Sequence, residues 1–512
     1  MGRRLRFNYS SSDNRVQVSR EEVSACNKNL REAGNEAIQA IRKFNNNSPS
    51  LFRFGEEERL VFINKAGHCV EETVQTMLNR LTKHCDFVTS KGAITRPREE
   101  VVKSLLNRCP EDFEGAVPKL RAVSRVPLFG KEGVLHSSCG YSPEMEVYFK
   151  LPSVFDDLDI PTEPSTTDLA AAKHFLLNEL LVDFPFEDET SKAHALAAIL
   201  LPFVREMIDG RTPLHLISKP KTGTGANLLA TCICMPSCDN PALIVMAPDE
   251  SERQRQILAL LLRTPVATIL DNATHLGGSA LASVLTSPVF HGRLIGSSAL
   301  GSAPNRCLWL ATANNPVLSD EIVRRTIEIR VDANAEDPTK GRKFRHSKLE
   351  EWAKKNRREL AQAALTIIQD WIAKGCSPGN QGFGGFEEWA SILGGILQNA
   401  GIPGFLGNRS STMSRTDASS AVIGSFIWSW WEKFGQTPVT ANQLVCIVPP
   451  DLLAPTGRIS MKLGHLLAKH CDQRFGDLRL KRASKANNYY TWRLIKVPDD
   501  KVVDISGTLR TG

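Results

Sequence analysis

The sequence predicts an α/β fold in which a parallel sheet carries helices on its faces. A mixed α/β region precedes it, and a helical segment and a small basic module follow. Two observations set the sheet. From Pro213 onward, apolar strand-like runs alternate with helical runs, the rhythm of βαβ units. Those runs end in turns containing Gly, Asp or Asn, and an open α/β sheet collects its ligand at the carboxyl ends of its strands. A third observation sets the surrounding modules: 512 residues exceed what one hydrophobic core organises and correspond to roughly three domains.

Composition narrows the class. With 42% hydrophobic and 23% charged residues, the chain is ordinary globular protein, and no stretch approaches the roughly 18 apolar residues that span a bilayer. Met1-Gly2-Arg3-Arg4-Leu5-Arg6 has basic residues but no apolar run behind them, and Arg6 stands where a myristoylation motif needs a hydroxyl. A soluble cytoplasmic protein with no membrane partner is expected. Of the twelve cysteines only Cys232, Cys234 and Cys238 lie close together. Spacing by two puts the first pair on different helix faces, so buried, reduced thiols are expected rather than a zinc site. The net charge of +7 is uneven, because residues 421 to 512 hold 13 Lys/Arg against 7 Asp/Glu, an excess of six positive charges. That excess suggests a polyanion contact at the C-terminal end.

Along the chain, residues 1–150 mix polar helical stretches with short strands such as Leu60-Val61-Phe62-Ile63, and nothing there has catalytic spacing. Leu151 to Thr167 reads as a linker, and Leu169 to Met207 has helical spacing, giving a 151–210 linker and helical segment. The sheet region, 211–335, then contributes strands at Leu214 to Ser218, Ala242 to Met246, Val266 to Leu270, Cys307 to Thr312 and Ile327 to Val331. Helices are expected through Cys234 and from Ser251 to Leu262. Within a 336–408 segment, Glu350 to Ala400 is helical by pattern, with Trp352, Leu360, Ala364, Ile367, Ile368 and Trp371 at core spacings. After the Ser/Thr-rich stretch Arg409 to Ser420, residues 421–500 suggest a winged helix: helices Phe426 to Phe434 and Arg458 to Cys471, then a strand pair around Leu478 to Leu480 and Tyr490 to Leu494. No internal repeat is visible.

Four signals carry the chemistry. A phosphate-binding loop needs a strand, a Gly-rich turn with inward amides, and a helix N-terminus. Lys219-Pro220-Lys221-Thr222-Gly223-Thr224-Gly225-Ala226-Asn227 stands in that context. It departs from the G-x-x-x-x-G-K-[ST] pattern: Pro220 replaces the first glycine, Ala226 the phosphate-binding lysine, and Asn227 the magnesium-binding hydroxyl. An ordinary Gly turn is the alternative. The strand Val266 to Leu270 delivers Asp271 and Asn272 at its end, where a magnesium ligand must sit. The strand Cys307 to Thr312 ends near Asn314 and Asn315, amides that can orient water or contact a terminal phosphate. Arg324 and Arg325 follow just before the last strand, where an arginine can reach a neighbouring subunit's nucleotide; a solvated or DNA-facing charge pair is the alternative. Each signal is weak alone. Their order on the expected elements favours an AAA+ P-loop ATPase core with a helical lid.

Residues 180–408 resemble the superfamily 3-like or MCM-like AAA+ replicative helicases of phages and mobile elements, including the primase-helicase type. The run Ile269-Leu270-Asp271-Asn272-Ala273-Thr274, a hairpin-like stretch, and Pro304-Asn305-Arg306-Cys307-Leu308-Trp309-Leu310-Ala311-Thr312 are similar to the same stretch of papillomavirus-type helicases. Phe344-Arg345-His346, Phe386-Glu387-Glu388-Trp389 and Gly401-Ile402-Pro403-Gly404-Phe405-Leu406-Gly407-Asn408 resemble the element-borne members. The resemblance implies a ring, often a hexamer, that binds ATP and Mg2+, translocates on DNA and carries a winged helix after its lid. It also implies a relocated lysine, since some of the resembling proteins carry Lys-Pro before Gly-Thr-Gly-Ala; Lys219 and Lys221 are the candidates. Asn272 takes the place of a glutamate base, and an amide cannot accept a proton at neutral pH.

Two surfaces could face single-stranded or duplex DNA. Val289 to Gly296 could form a hairpin projecting into a ring channel, bringing His291 and Arg293 to phosphates; an ordinary surface turn is the alternative. Arg479, Lys481, Arg482 and Lys485, interleaved with Tyr489, Tyr490 and Trp492, could form a wing whose cations neutralise phosphates, or a solvated basic loop over a Tyr/Trp core. The expectation is an ATP-dependent DNA helicase or translocase of a phage, plasmid or mobile element. It would be a homo-oligomer with a primase, polymerase or initiator partner. The alternatives are a DNA-binding scaffold or initiator with weak or lost hydrolysis, and an AAA+ activator or protein-remodelling machine that needs no basic C-terminal module.

Overall fold

The computed structural model describes residues 21–24, 29–46, 48–89, 91–219, 224–247, 249–273, 275–293, 300–314, 316–332, 344–408, 423, 426–449, 452, 458–472, 474–475, 478–486 and 489–496. Lys221, Gly223 and Asn315, the hairpin segment 294–296 and the stretch 409–420 lie outside them. The chain divides into two compact units, Met1–Gly407 and Asn408–Gly512.

The centre of the first unit is a five-stranded sheet. Its strands in chain order are β1 (Leu214–Lys219), β2 (Ala242–Ile244), β3 (Ala267–Leu270), β4 (Leu308–Asn314) and β5 (Thr326–Arg330). In space they run β2-β3-β4-β1-β5, and every neighbouring pair is parallel. A parallel sheet is covered on both faces, so its strands read as continuous apolar runs. The side-chain alternation nonetheless divides β4: Leu308 and Leu310 enter one core, while Trp309, Ala311 and Ala313 enter the other. β1 divides likewise, Ile217 to one side and Leu214 and Leu216 to the other.

One face is covered by α1 (Glu189–Val204), α2 (Ala226–Cys234), α5 (Arg357–Ala373) and α6 (Glu387–Asn399), the other by α3 (Glu250–Leu261) and α4 (Ser279–Thr286). The expected run Leu169 to Met207 is interrupted: a helix over Thr166–His174 passes into a π-helical turn, and α1 restarts after residues 181–188. Asp188 restarts it, accepting the Ser191 amide at 2.6 Å. Cys232 and Cys234 are both buried despite their spacing, because α2 is covered nearly all round. Burial pushes the Cys232 thiol up to about 12. Among the described residues no group of three or more His, Cys, Asp or Glu could hold a metal, and no helix is long and apolar enough to cross a membrane.

Between β3 and β4 the chain forms α4 and an antiparallel hairpin of Val289–Arg293 with Leu300–Pro304. Alternation sends Phe290 and Gly292 inward and leaves His291 and Arg293 exposed on the opposite face. The N-terminal region contributes small sheets, one of them the four-stranded order Cys69–Glu71, Arg59–Ile63, Phe52–Phe54, Lys119–Leu120. It is fastened to the core by charge. Arg121 and Arg306 both bond the buried Glu206 carboxylate, Arg306 at 3.2 Å. Its acidic turn also grips the hairpin, with Ser302 Oγ donating to Glu57 at 3.2 Å and Arg59 Nη2 to the Leu300 carbonyl at 3.1 Å.

Residues 344–407 close over α1. Gly404 has φ +88°, and a Cβ there would lie 3.0 Å from the Thr190 backbone nitrogen, so this close approach requires glycine. Two residues on, the Leu406 amide donates to His194 Nε2 at 3.0 Å, while His194 Nδ1 donates to the Glu328 carbonyl at 2.8 Å. That assignment makes His194 neutral, with one nitrogen accepting and the other donating. Trp352 is partly buried, while Leu360, Ala364, Ile367, Ile368 and Trp371 are core residues.

In the second unit, residues 426–434 are helical and are followed by Val439–Thr440, then the helices Ala441–Leu444 and Ile459–Lys469. Thr440 and Gln443 form a capping box that starts the second helix. The antiparallel sheet runs Val439–Thr440, Tyr489–Lys496, Leu478–Ala486, Arg474–Phe475. Phe426, Trp430, Leu463, Leu480, Trp492 and Leu494 lie in its core.

Burial holds His194 down at about 4 and His215 at about 3, against 6.5 for an exposed histidine. The unfolded chain therefore takes up protons first as pH falls, so stability is fully present above about 6.5 and is lost toward 4. Melting temperature measured from pH 7.5 to 4.5 is expected to fall, and His194→Gln, which keeps an acceptor for Leu406, is expected to flatten the slope; a wild-type profile flat over this range contradicts the neutral buried histidines.

Candidate nucleotide site

The site is assembled at the carboxyl edge of the sheet. In the β1–β4 register Lys219 stands opposite Asn314, so the last residue of each strand meets the other at the edge. β3 lies on the other side of β4, with Leu270 opposite Ala311. The next residues, Asp271 and Thr312, touch: Thr312 Oγ1 donates to Asp271 Oδ1 at 3.3 Å and accepts the Asn272 amide at 3.0 Å. A sequence reading misses Thr312, although a hydroxyl one place beyond the register partner of a strand's last residue is the signal that could find it.

From the other side, Asn227 Nδ2 donates to the same Asp271 oxygen at 2.9 Å. The residue in the hydroxyl position of the loop motif and the acid at the end of β3 are thus in direct contact, 44 residues apart in sequence. Asn227 reaches there because α2 begins at Ala226, just after Gly225 turns the chain with φ +85°. That left-handed conformation favours glycine. Ala226 is buried in the main core, so the position that would carry the phosphate-binding lysine carries a core methyl.

Thr224 is 2% exposed, and its hydroxyl has no hydrogen-bond partner among the described residues. An unsatisfied buried hydroxyl is costly. Behind Gly225 lies Phe184, 3.7 Å from where a Cβ would stand, a wall that the linear motif gives no sign of.

Asn272 is exposed and takes the left-handed conformation at φ +46°, which asparagine tolerates better than most residues. Asn314 is the exposed last residue of β4. Lys219 is partly exposed, Lys221 and Gly223 belong to the undescribed part of the loop, and Asn315 is undescribed.

Arg324 and Arg325 are not brought to this edge. They precede β5, and the Leu214 amide at the start of β1 bonds the Arg325 carbonyl at 2.9 Å. The six-residue length of β1, about 20 Å, separates them from Lys219 within one subunit. Arg325 is engaged by Glu321, on the short helix Asp320–Val323 just before it, its Nη2 at 3.5 Å from the carboxylate, whereas Arg324 is exposed.

Of the candidate DNA-facing side chains, His291 Nε2 lies 3.7 Å from Glu56 Oε2, an acidic neighbour that the local sequence does not reveal. Arg293 is exposed. In the second unit Arg482 and Lys485 are exposed and Arg479 and Lys481 partly so, Lys481 being paired with Asp472.

No family model and no curated protein matches the sequence. Solved structures do. The chain is similar to the A-form apo structure of the NrS-1 C-terminal region, at 13% identity and TM-score 0.38 over 90% of this chain and 98% of that one. It is similar to the SCCmec type IV Cch active helicase, at 13% identity and TM-score 0.37 over 88% and 94%. It is also similar to the JCV helicase, at 11% identity and TM-score 0.20 over 49% and 69%. With every score below 0.5, the functional reading is left to the residues at the sheet edge.

Because the Thr224 hydroxyl has no partner among the described residues, Thr224→Val is expected to leave unfolding free energy unchanged or to raise it by up to about 1 kcal/mol in urea titration. A loss larger than about 1 kcal/mol would mean that the hydroxyl has a protein partner.

Proposed function

We propose that this chain is an ATP-dependent DNA translocase or helicase of the AAA+ kind, acting as a ring oligomer in the replication of a phage, plasmid or mobile element. The observation that carries the proposal is the contact between Asn227 and Asp271 beside the in-register pair Lys219 and Asn314. These are the loop, acid and amide signals that the sequence separates by up to 95 positions, gathered on one sheet edge.

In this reading Gly223, Thr224 and Gly225 cradle phosphate with backbone amides at the start of α2, whose dipole favours an anion. Thr224 adds its hydroxyl. Lys219 supplies from the end of β1 the cation that Ala226 lacks, with Lys221 as the second candidate. Asp271 and the side-chain oxygen of Asn227 are hard oxygen donors that suit Mg2+, which keeps waters and phosphate oxygens as its remaining ligands. When bound, that ion would offset charge on the phosphates. Asn314 or Asn315 senses the terminal phosphate. Arg324 or Arg325 acts on a neighbouring subunit's nucleotide, the role left to arginines that lie at the far edge of their own sheet.

DNA would meet the hairpin through His291 and Arg293. It would meet the second unit, read as a winged helix, through Arg479, Lys481, Arg482 and Lys485. Residues 1–150, 151–210, 211–335, 336–408 and 421–500 serve in this reading as N-terminal domain, connecting segment, ATPase core, lid and DNA-binding domain.

A second reading is favoured by Ala226 and Asn272: a core methyl where a lysine belongs and an amide where a carboxylate base belongs. It is a DNA-binding scaffold or initiator with weak or lost hydrolysis. DNA-stimulated ATP hydrolysis by the whole protein separates the two. Turnover is expected, with Asp271→Ala and either Lys219→Ala or Lys221→Ala each lowering it by about 100-fold or more, the scale of removing a group that stabilises transition-state charge. No turnover in a folded protein that still binds DNA would replace the motor by the scaffold.

A further inference from the structure

The second unit carries a feature that phosphate neutralisation does not use. Its long antiparallel pair, Leu478–Ala486 with Tyr489–Lys496, buries Leu478, Leu480, Trp492 and Leu494, but the first two residues of the return strand are exposed aromatics. Tyr489 is 71% exposed and Tyr490 is 47% exposed. A tyrosine ring left in water at a strand end contributes little to folding, and an exposed aromatic next to cations is the composition of a surface that stacks bases.

The two rings serve differently. Successive residues of a strand point to opposite faces. Tyr490 is engaged: the Arg482 guanidinium lies 4.4 Å from its centroid and the Lys485 ammonium 5.0 Å. Arg482 also lies 5.1 Å from the Trp492 centroid, so the two rings hold its guanidinium in place. The pairing shifts register between Arg482 and Lys485, a bulge that brings Lys485 opposite Tyr490. Tyr489 points the other way, in register with Ala486, and is the more exposed of the two rings.

From this geometry we infer that Tyr489 is a stacking platform for an unpaired base, and that the second unit binds single-stranded nucleic acid, Arg482 and Lys485 holding the backbone that passes Tyr490. A duplex presents no free base face, so the ring selects single strands, while the cations alone would accept either form. This rests on the DNA-binding reading above and narrows it.

The test is fluorescence anisotropy of the full-length protein with labelled oligothymidylate, with an abasic strand of equal length and with duplex. Tyr489→Ala is expected to weaken oligothymidylate binding by about fivefold or more, the scale of one lost base–aromatic stack, and Tyr489→Phe to restore it. The abasic strand should bind the wild type more weakly and Tyr489→Ala no more weakly still. The salt dependence of affinity should be unchanged by Tyr489→Ala and shallower in Lys485→Ala, because only the lysine releases counterions. At 71% exposure the ring can be removed without disturbing the core. If Tyr489→Ala binds oligothymidylate as the wild type does, or abasic and base-bearing strands bind alike, the stacking inference is overturned while DNA binding stands. No binding to any strand at low salt overturns the DNA-binding reading and the inference with it.

Discussion

The register between β1 and β4 is the constraint on which the site depends. It puts Lys219 beside Asn314, and the pairing of β3 with β4 then sets Asp271 against Thr312. A one-residue slip in a parallel pair exchanges the faces of every side chain, so the divided burial of β4 fixes this register. Trp309, Ala311 and Ala313 on one side and Leu308 and Leu310 on the other cannot trade places without filling one core and emptying the other. The chemistry of the edge is thus held by the packing of both faces.

The same geometry separates two sets of side chains. Asp271, Asn227, Lys219 and Asn314 gather at the carboxyl edge, whereas Arg324 and Arg325 stand at the amino edge. A single copy cannot bring the two sets together. Under the proposed motor, a site completed by a neighbour's arginine is the physical reason for a ring, since head-to-tail copies place one subunit's far edge against the next one's site. The N-terminal region meets the hairpin between β3 and β4 through Glu56, Glu57 and Arg59, so an acidic turn lies within 3.7 Å of the hairpin's His291.

Much of the sheet is legible in the sequence. The apolar runs at Leu214, Val266 and Cys307 give the strands to within two residues, because parallel strands covered on both faces leave an uninterrupted apolar signal. The order of the motifs anticipates which ends meet. What is not legible is non-local: Thr312 beneath Asp271, Phe184 behind Gly225, and Glu56 facing His291 are contacts between distant segments, with no periodicity to betray them. His194 and His215 look titratable in sequence, and only their burial makes them neutral. The break at residues 181–188 is marked in the sequence by Pro185 and by Asp188, the cap of α1, but the apolar spacing on either side of it reads as one helical run. For Tyr489 and Tyr490 the sequence leaves a basic wing or a Tyr/Trp core open, and the pairing and exposure show that they begin the strand outside the buried core.

The proposed motor depends above all on the replacement, by Lys219, of the lysine that the loop before α2 lacks. Its most direct measure is calorimetric titration of a non-hydrolysable ATP analogue with Mg2+ into the whole protein and into Lys219→Ala. Saturable binding to the wild type, weakened about tenfold or more in the variant, is predicted, the scale of one lost charge-assisted hydrogen bond. Equal binding by the two proteins, or none by the wild type, would contradict it.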